Sequence, residues 1–201
     1  MIAIIDYGAG NLRSVQKAFE HLGYEAVITH DSAEIYSADK VVLPGVGAFG
    51  DCMKNLNASN LIPCIKNVIE RKKPFLGICL GLQLLFKNSE ETPNVEGIGI
   101  FDGTIVKIPD IDDYKIPHMG WNSLTFTKPC PLFSNLPESP FVYFVHSYYM
   151  LPSDKNIVTA TTEYCGTLPI ALNYENVYAV QFHPEKSGDV GLKILENFAQ
   201  L

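Results

Sequence analysis

The pentapeptide Gly77-Ile78-Cys79-Leu80-Gly81 sets a thiol between two glycines. That is the shape of a nucleophile elbow, in which a reactive side chain stands on a tight strand-to-helix turn. The apolar run Pro74-Phe75-Leu76 before it reads as the strand, and Leu80 to Lys87 after it as the helix. A residue in such a turn adopts strained dihedrals, and flanking glycines let neighbouring backbone pass close by. The N–H groups that open a helix favour a thiolate and can hydrogen-bond a developing oxyanion. On the elbow alone Cys79 has two readings: an activated nucleophile, or a small buried hydrophobe, the usual fate of a free cysteine. Cys52, Cys64, Cys130 and Cys165 have no comparable context and read as core thiols.

A thiol nucleophile needs a base, and the base needs an orienting group. His183-Pro184-Glu185 supplies an imidazole, a stiff proline and a carboxylate able to hold one tautomer. His146, in Tyr143-Phe144-Val145-His146-Ser147-Tyr148, and His118, in Pro117-His118-Met119-Gly120-Trp121, are further candidates, and either could be a structural histidine. His21 and His30 read as surface residues. A zinc deaminase would need its H-x-E followed by P-C-x-x-C. Here Pro129-Cys130 lies upstream of His183 and lacks the second cysteine, so no metal is expected. Gly8-Ala9-Gly10 is a partial dinucleotide fingerprint whose third glycine position is Arg13, which makes it weak evidence for nucleotide binding. Pro44-Gly45-Val46-Gly47 can turn a backbone N–H toward a ligand, and a plain turn explains it equally well.

The elements that must carry these groups alternate in the first half of the chain. Ile2–Asp6, Ala26–Thr29, Lys40–Leu43 and Pro74–Cys79 read as strands. Between them, Asn11 to Leu22 has apolar residues at helical spacing and Gly23 where a C-terminal cap belongs. Asn60 is placed to cap a helix through Ile65, Val68 and Ile69. Such alternation predicts a mainly parallel sheet covered by helices. After Gly97 strand-like segments follow one another, at Gly103–Ile108, Phe141–Met150, Ile157–Thr162 and Val177–Gln181, some of them antiparallel. A last helix runs from Asp189 to Gln200. The expectation is one α/β domain over residues 1–201.

Composition narrows the function classes. A net charge of −7, with no basic cluster longer than Arg71-Lys72-Lys73, argues against nucleic-acid binding; that triplet reads as a solvated helix end. No apolar run reaches the roughly 18–20 residues of a membrane span, and Met1–Asp6 reads as a buried strand rather than a leader. Five cysteines at irregular spacings without a CxxC pair point to a reducing cytoplasm.

In their order along the chain, these segments resemble the class I (triad) glutamine amidotransferases. The carrying residues are Ile4–Leu12, Leu43–Gly50, Gly77–Phe86, Pro117–Asn122, Tyr143–Tyr149 and Gln181–Ser187. The cysteine elbow and His-Pro-Glu mark the superfamily. The first, fourth and fifth segments favour the branch that serves as the glutaminase subunit of imidazole glycerol phosphate synthase. The resemblance implies a flavodoxin-like α/β sandwich and no cofactor. It also implies a catalytic set of Cys79 as nucleophile, His183 as proton carrier and Glu185 as its orienting group. The amides of Val46 and Leu80 would be oxyanion donors. Independently, the glycines flanking Val46 in Pro44-Gly45-Val46-Gly47 let its peptide rotate at modest cost, so its N–H is expected to turn away at rest. Gly45, Gly47, Gln83, Ser147, Tyr148 and Tyr149 would form the L-glutamine pocket. Asn11, Trp121 and Lys186 would face the cyclase subunit, HisF, in a heterodimer. Ammonia would pass through that partner to yield imidazole glycerol phosphate and an aminoimidazole carboxamide ribotide. Two alternatives stay open: a paralogue feeding another synthase-like partner, for example in surface-sugar amidation, and a non-catalytic binding module. Leu82 departs from the frequent Met by a volume-conserving change. Cys165-Gly166-Thr167-Leu168-Pro169 varies a surface loop.

Overall fold

The apolar run at the N-terminus becomes a strand buried on both faces. In a computed structural model, which describes residues 1–112 and 114–201, the first part of the chain alternates as expected. β1 (Ile2–Ile5), α1 (Leu12–His21), β2 (Ala26–Thr29), α2 (Ser32–Ser37), β3 (Lys40–Gly45), α3 (Phe49–Ala58), α4 (Ile62–Glu70), β4 (Phe75–Cys79) and α5 (Leu80–Leu84) follow in order. Then come β5 (Phe86–Ser89), β6 (Phe101–Lys107), β7 (His118–Ser123), β8 (Thr125–Phe126), β9 (Phe141–His146), β10 (Tyr148–Pro152), β11 (Val158–Glu163), β12 (Thr167–Tyr174), β13 (Val177–Val180) and α6 (Gly188–Gln200).

An eight-stranded sheet runs in the order β2-β1-β3-β4-β13-β12-β11-β8. Its first five strands are mutually parallel, in the flavodoxin-like order, and the last three are antiparallel additions. Strand alternation splits the core between the faces. Ile2, Ile4, Leu76 and Ile78 point to one side, against Val15 and Phe19 of α1 and Ile194 and Phe198 of α6. Ala3, Ile5, Val41 and Leu43 point to the other, against Phe49 and Met53 of α3 and Ile65 and Val68 of α4. Small sheets β10-β6-β5 and β7-β9 flank this frame. Among the described residues no helix is long and apolar enough to cross a membrane.

Three local expectations are corrected. The helix expected from Leu80 to Lys87 stops at Leu84. The N–H groups of Ile98 and Ile100 take the carbonyls of Leu84 and Leu85, and the chain turns into β5. Asn60 does not cap α4. It closes α3, with φ of 55°, while Leu61 donates to the carbonyl of Leu56. The expected strand Phe141–Met150 divides at Ser147 into β9 and β10. Gly23 does end α1, at φ of 84°. The basic triplet is a helix end: Arg71 lies over the Tyr36 ring, Lys72 pairs with Glu175, and Lys73 donates to the Tyr36 carbonyl.

The α1–α6 layer is pinned by two fully buried rings, Phe19 and Phe198, whose centroids lie 6.4 Å apart. Phe198→Ala is expected to lower the unfolding free energy by about 3–5 kcal/mol in urea titration, since the cavity cannot collapse between sheet and helix. A loss under about 1 kcal/mol would contradict this packing.

Candidate active site

The carboxyl ends of β3, β4 and β13 converge on Cys79. Gly45 of β3 is in register with Cys79, and Ile78 with Val180 of β13. Cys79 sits at φ 55° and ψ −110°, between β4 and α5. Such a conformation in a non-glycine residue stores about 1–3 kcal/mol and persists only where its surroundings dictate it. The surroundings here are the two glycines. A Cβ on Gly81 would lie 1.9 Å from the Leu43 carbonyl oxygen, and one on Gly77 3.0 Å from the Gly81 carbonyl oxygen. Only bare backbone lets α5 close this near to β3 and β4. Because α5 has five residues, any electrostatic help it gives Cys79 comes from its first N–H groups rather than from a long helix dipole.

His183 follows β13, and its side chain and that of Glu185 are 2% and 1% exposed. Nδ1 of His183 and Oε1 of Glu185 are 2.8 Å apart, which leaves Nε2 for Cys79. The amide of Asn11 donates to the same carboxylate oxygen at 3.2 Å. The turn is braced by Ser187, whose hydroxyl donates to the His183 carbonyl at 2.6 Å and accepts from the Tyr143 N–H at 3.0 Å. Burial alone would push the His183 imidazole down. Hydrogen bonds to Cys79 and Glu185, and their charges, instead hold it up at about 10. The arrangement therefore favours the imidazolium form of His183.

A cavity of about 180 Å³ opens over these groups, lined by Val46, Gly47, Cys79, Leu80, Gln83, Glu91, Val145, His146, Tyr148 and His183. It is small beside the ~300–1,000 Å³ of sites for drug-sized ligands. Larger depressions lie elsewhere, one of about 630 Å³ around Phe126 and Phe133, but no histidine lines it. Of the expected substrate residues, Gly47, Gln83 and Tyr148 face the cavity. Gly45, Ser147 and Tyr149 do not line it. Gly45 lies beneath the turn, and Tyr149, one residue along β10 from Tyr148, points into a separate depression with Leu151 and Lys155. Asn11, Trp121 and Lys186 come to one side: Asn11 touches Glu185, Lys186 is the next residue, and the Trp121 ring lies beside Gly188.

Two residues with no role assigned from the sequence join the site. Gln181, fully buried after β13, donates to the Cys79 sulfur at 3.7 Å and accepts from Gln83 at 3.0 Å. Glu91 lines the cavity while accepting the Phe49 N–H at 2.8 Å. The signal for Gln181 was a polar residue closing an apolar strand; Glu91 lies on a loop with no sequence signal. Among the described residues no group of three or more His, Cys, Asp or Glu is placed to hold a metal ion.

His118 and His146 form a second, contrasting pair. Nδ1 of His146 lies 2.9 Å from the Tyr148 carbonyl, so it carries the proton, and its Nε2 accepts from Nδ1 of His118 at 3.0 Å. The amide of Asn122 donates to the remaining nitrogen of His118 at 3.3 Å. Every ring nitrogen is used in the neutral form. Burial pushes His118 down to about 4. Burial also pushes His146 down to about 3, helped by the nearby His118 and His183 and opposed by the bond to Tyr148.

Comparison with known proteins bears on this geometry. The family model described as glutamine amidotransferase class-I matches residues 3–201. A protein named imidazole glycerol phosphate synthase subunit HisH from Syntrophotalea carbinolica is 52% identical over 206 residues, covering 100% of both chains. One of the same name from Methanocaldococcus jannaschii is 50% identical over 201 residues, again covering 100% of both. A solved glutamine amidotransferase superposes with a TM-score of 0.76 at 18% identity, covering 99% of this chain and 100% of its own. The PurLQS structure from Thermotoga maritima gives a TM-score of 0.76 at 18% identity, covering 99% and 97%. Identities this low speak to the fold alone.

The two depressed histidines set a sign for acid stability. Unfolded, each would titrate near 6.5; folded, they take protons only near 4 and 3. Their contribution is complete above pH 6.5 and is lost as the pH falls toward 4, because the unfolded chain binds the extra protons. The urea midpoint is expected to fall across that window, and His146→Gln to flatten the fall while lowering stability at neutral pH. An unchanged slope in His146→Gln would contradict the neutral pairing.

Proposed function

Because the chain belongs to the class-I glutamine amidotransferase family, we propose that Cys79, His183 and Glu185 carry out its glutamine hydrolysis. The observation behind this reading is a buried thiol on a strained turn, facing an imidazole whose far nitrogen is held at 2.8 Å by a carboxylate. With the proton of Cys79 held on Nε2 of His183, Sγ attacks the carboxamide carbon and the carbonyl electrons move to oxygen. Val46 and Leu80 line the cavity, and their N–H groups are the donors to that oxyanion during turnover. His183 gives its proton to the leaving nitrogen, the C–N bond breaks, and ammonia departs from a Cys79 thioester. Water then attacks the thioester, passing a proton back to His183 as the C–S bond breaks and L-glutamate leaves.

Within the cavity Gln83, Tyr148 and Gly47 hold the substrate. Glu91 is the lining carboxylate free of the triad, and it suits the α-ammonium of an amino acid. Residues 1–201 act as one domain, in the cytoplasm.

The relatives are named as subunits of a synthase, so the ammonia has an acceptor in a second chain. That partner is the cyclase subunit HisF, in a heterodimer that makes imidazole glycerol phosphate and aminoimidazole carboxamide ribotide for histidine biosynthesis. The exposed Met119, Trp121 and Phe141, with Asn11 and Lys186 nearby, support docking on the side next to Glu185.

Cys79→Ala is expected to abolish glutamate release while leaving the melting temperature and partner binding unchanged. A glutamine-like electrophile should label Cys79 and spare the other four cysteines; labelling of Cys52 or Cys165 with Cys79 untouched would overturn the assignment. His183→Ala should remove turnover almost completely. Glu185→Ala should retain more activity, since an unoriented imidazole still samples the right tautomer. Full activity in His183→Ala would move the base to another residue.

A further inference from the structure

Two buried donors outside the proposed triad hold the segment that carries the Val46 amide. The phenol of Tyr7, on the loop after β1, donates to the Pro44 carbonyl at 2.9 Å. The thiol of Cys52, on α3, donates to the Val46 carbonyl with its sulfur 3.5 Å away. Both side chains are nearly inaccessible, at 4% and 2% exposed. The peptide linking Gly45 to Val46 lies between those two carbonyls, and its N–H is that of Val46. On one side this segment has no room: a Cβ on Gly45 would lie 2.7 Å from the Tyr7 oxygen and 2.9 Å from the Gly81 nitrogen. On the other it has freedom: Gly47 sits at φ 100°, with nothing within 4 Å of where its Cβ would be.

We propose that Tyr7 and Cys52 are positioning residues that clamp the carbonyls on either side of the Gly45–Val46 peptide and so set where the Val46 N–H points relative to Cys79. The inference rests on the reading of Val46 as an oxyanion donor. With Pro44 lacking an N–H and both flanking carbonyls tied to other elements, rotation in this stretch is confined to the one peptide between the ties. The donors are suited to the task, because each must keep its proton to hold a carbonyl. Burial, reinforced by Cys52 and Cys79, pushes the Tyr7 phenol far above its ordinary value. Burial pushes the Cys52 thiol up, with Asp51 and Glu91 adding to the rise and the neighbouring Tyr7 phenol opposing it. The phenol and thiol thus remain donors throughout the neutral range. Tyr7 and Cys52 come from different elements, the β1–α1 loop and α3, so the clamp ties the amide to two separate segments of the chain.

The test uses the full chain in complex with the cyclase subunit and compares Tyr7→Phe, Cys52→Ala and Cys52→Ser. Tyr7→Phe and Cys52→Ala are expected to lower kcat for glutamine hydrolysis by about 10-fold, a fraction of the ~10²–10³ lost when an oxyanion donor is removed, with KM within about 2-fold. Cys52→Ser, which keeps a donor, should recover most of the rate. The affinity for L-glutamate γ-semialdehyde, whose hemithioacetal with Cys79 has a tetrahedral carbon bearing an oxygen, should fall with kcat, while alkylation of Cys79 by iodoacetamide stays at the wild-type rate. Unchanged kcat in both Tyr7→Phe and Cys52→Ala overturns the clamp. A fall in kcat without weaker semialdehyde binding, or without rescue by Cys52→Ser, overturns it equally and leaves Cys79 as nucleophile. If the wild-type complex binds the semialdehyde no better than L-glutamate, the oxyanion reading fails first and takes the clamp with it.

Discussion

Everything at this site follows from how close α5 comes to β3. At Gly81 the approach leaves no space for a Cβ, which would lie 1.9 Å from the Leu43 carbonyl oxygen. A helix this near its neighbouring strand can be reached from β4 only by a turn tight enough to force Cys79 to φ 55°. The strain is local, but what holds it is the whole sheet: β4 is hydrogen-bonded on both sides, to β3 and to β13. Those same neighbours end in Gly45 and lead into His183. One steric constraint therefore turns the buried thiol toward the cavity, brings a glycine-rich peptide beside it, and faces it with an imidazole.

The electrostatics then depend on what burial is paired with. His183, His118 and His146 are all nearly inaccessible, yet they move in opposite directions. His183 has a carboxylate on one nitrogen and a thiol on the other, and is held up at about 10. His118 and His146 hydrogen-bond only to neutral partners and are pushed down to about 4 and 3. Burial is common to the three; the charge of the hydrogen-bond partner decides the sign. The neutral pair serves architecture, since the Tyr148 carbonyl that accepts from His146 also accepts from Gln83 at 3.1 Å.

Much of this was legible in the sequence, for physical reasons. The elbow announces itself because its glycines are dictated by backbone contact, which no other residue type satisfies. The parallel strands announce themselves because burial on both faces demands continuous apolar runs. α3 was not legible. Its buried residues Phe49, Cys52, Met53 and Leu56 do fall at helical spacing, but Gly50, Asn55 and Asn57 weaken the helical signal, and Asn60 was read as opening the next helix rather than closing this one. The early end of α5 was hidden for a different reason: the carbonyls of Leu84 and Leu85 are claimed by a segment more than a turn further along the chain, which no local pattern records. Glu91 belongs to the same class, since its place in the cavity is set by the loop that packs on Phe49.

The account claims that the strained thiol itself carries the glutamyl group during turnover. The direct measurement is an acid quench of the chain, mixed with its partner and isotope-labelled L-glutamine, followed by peptide mass spectrometry. A labelled thioester on the peptide that contains Cys79, absent after hydroxylamine treatment, is the predicted result. Continuing glutamate release with no label on that peptide, or with the label on another cysteine, would contradict it.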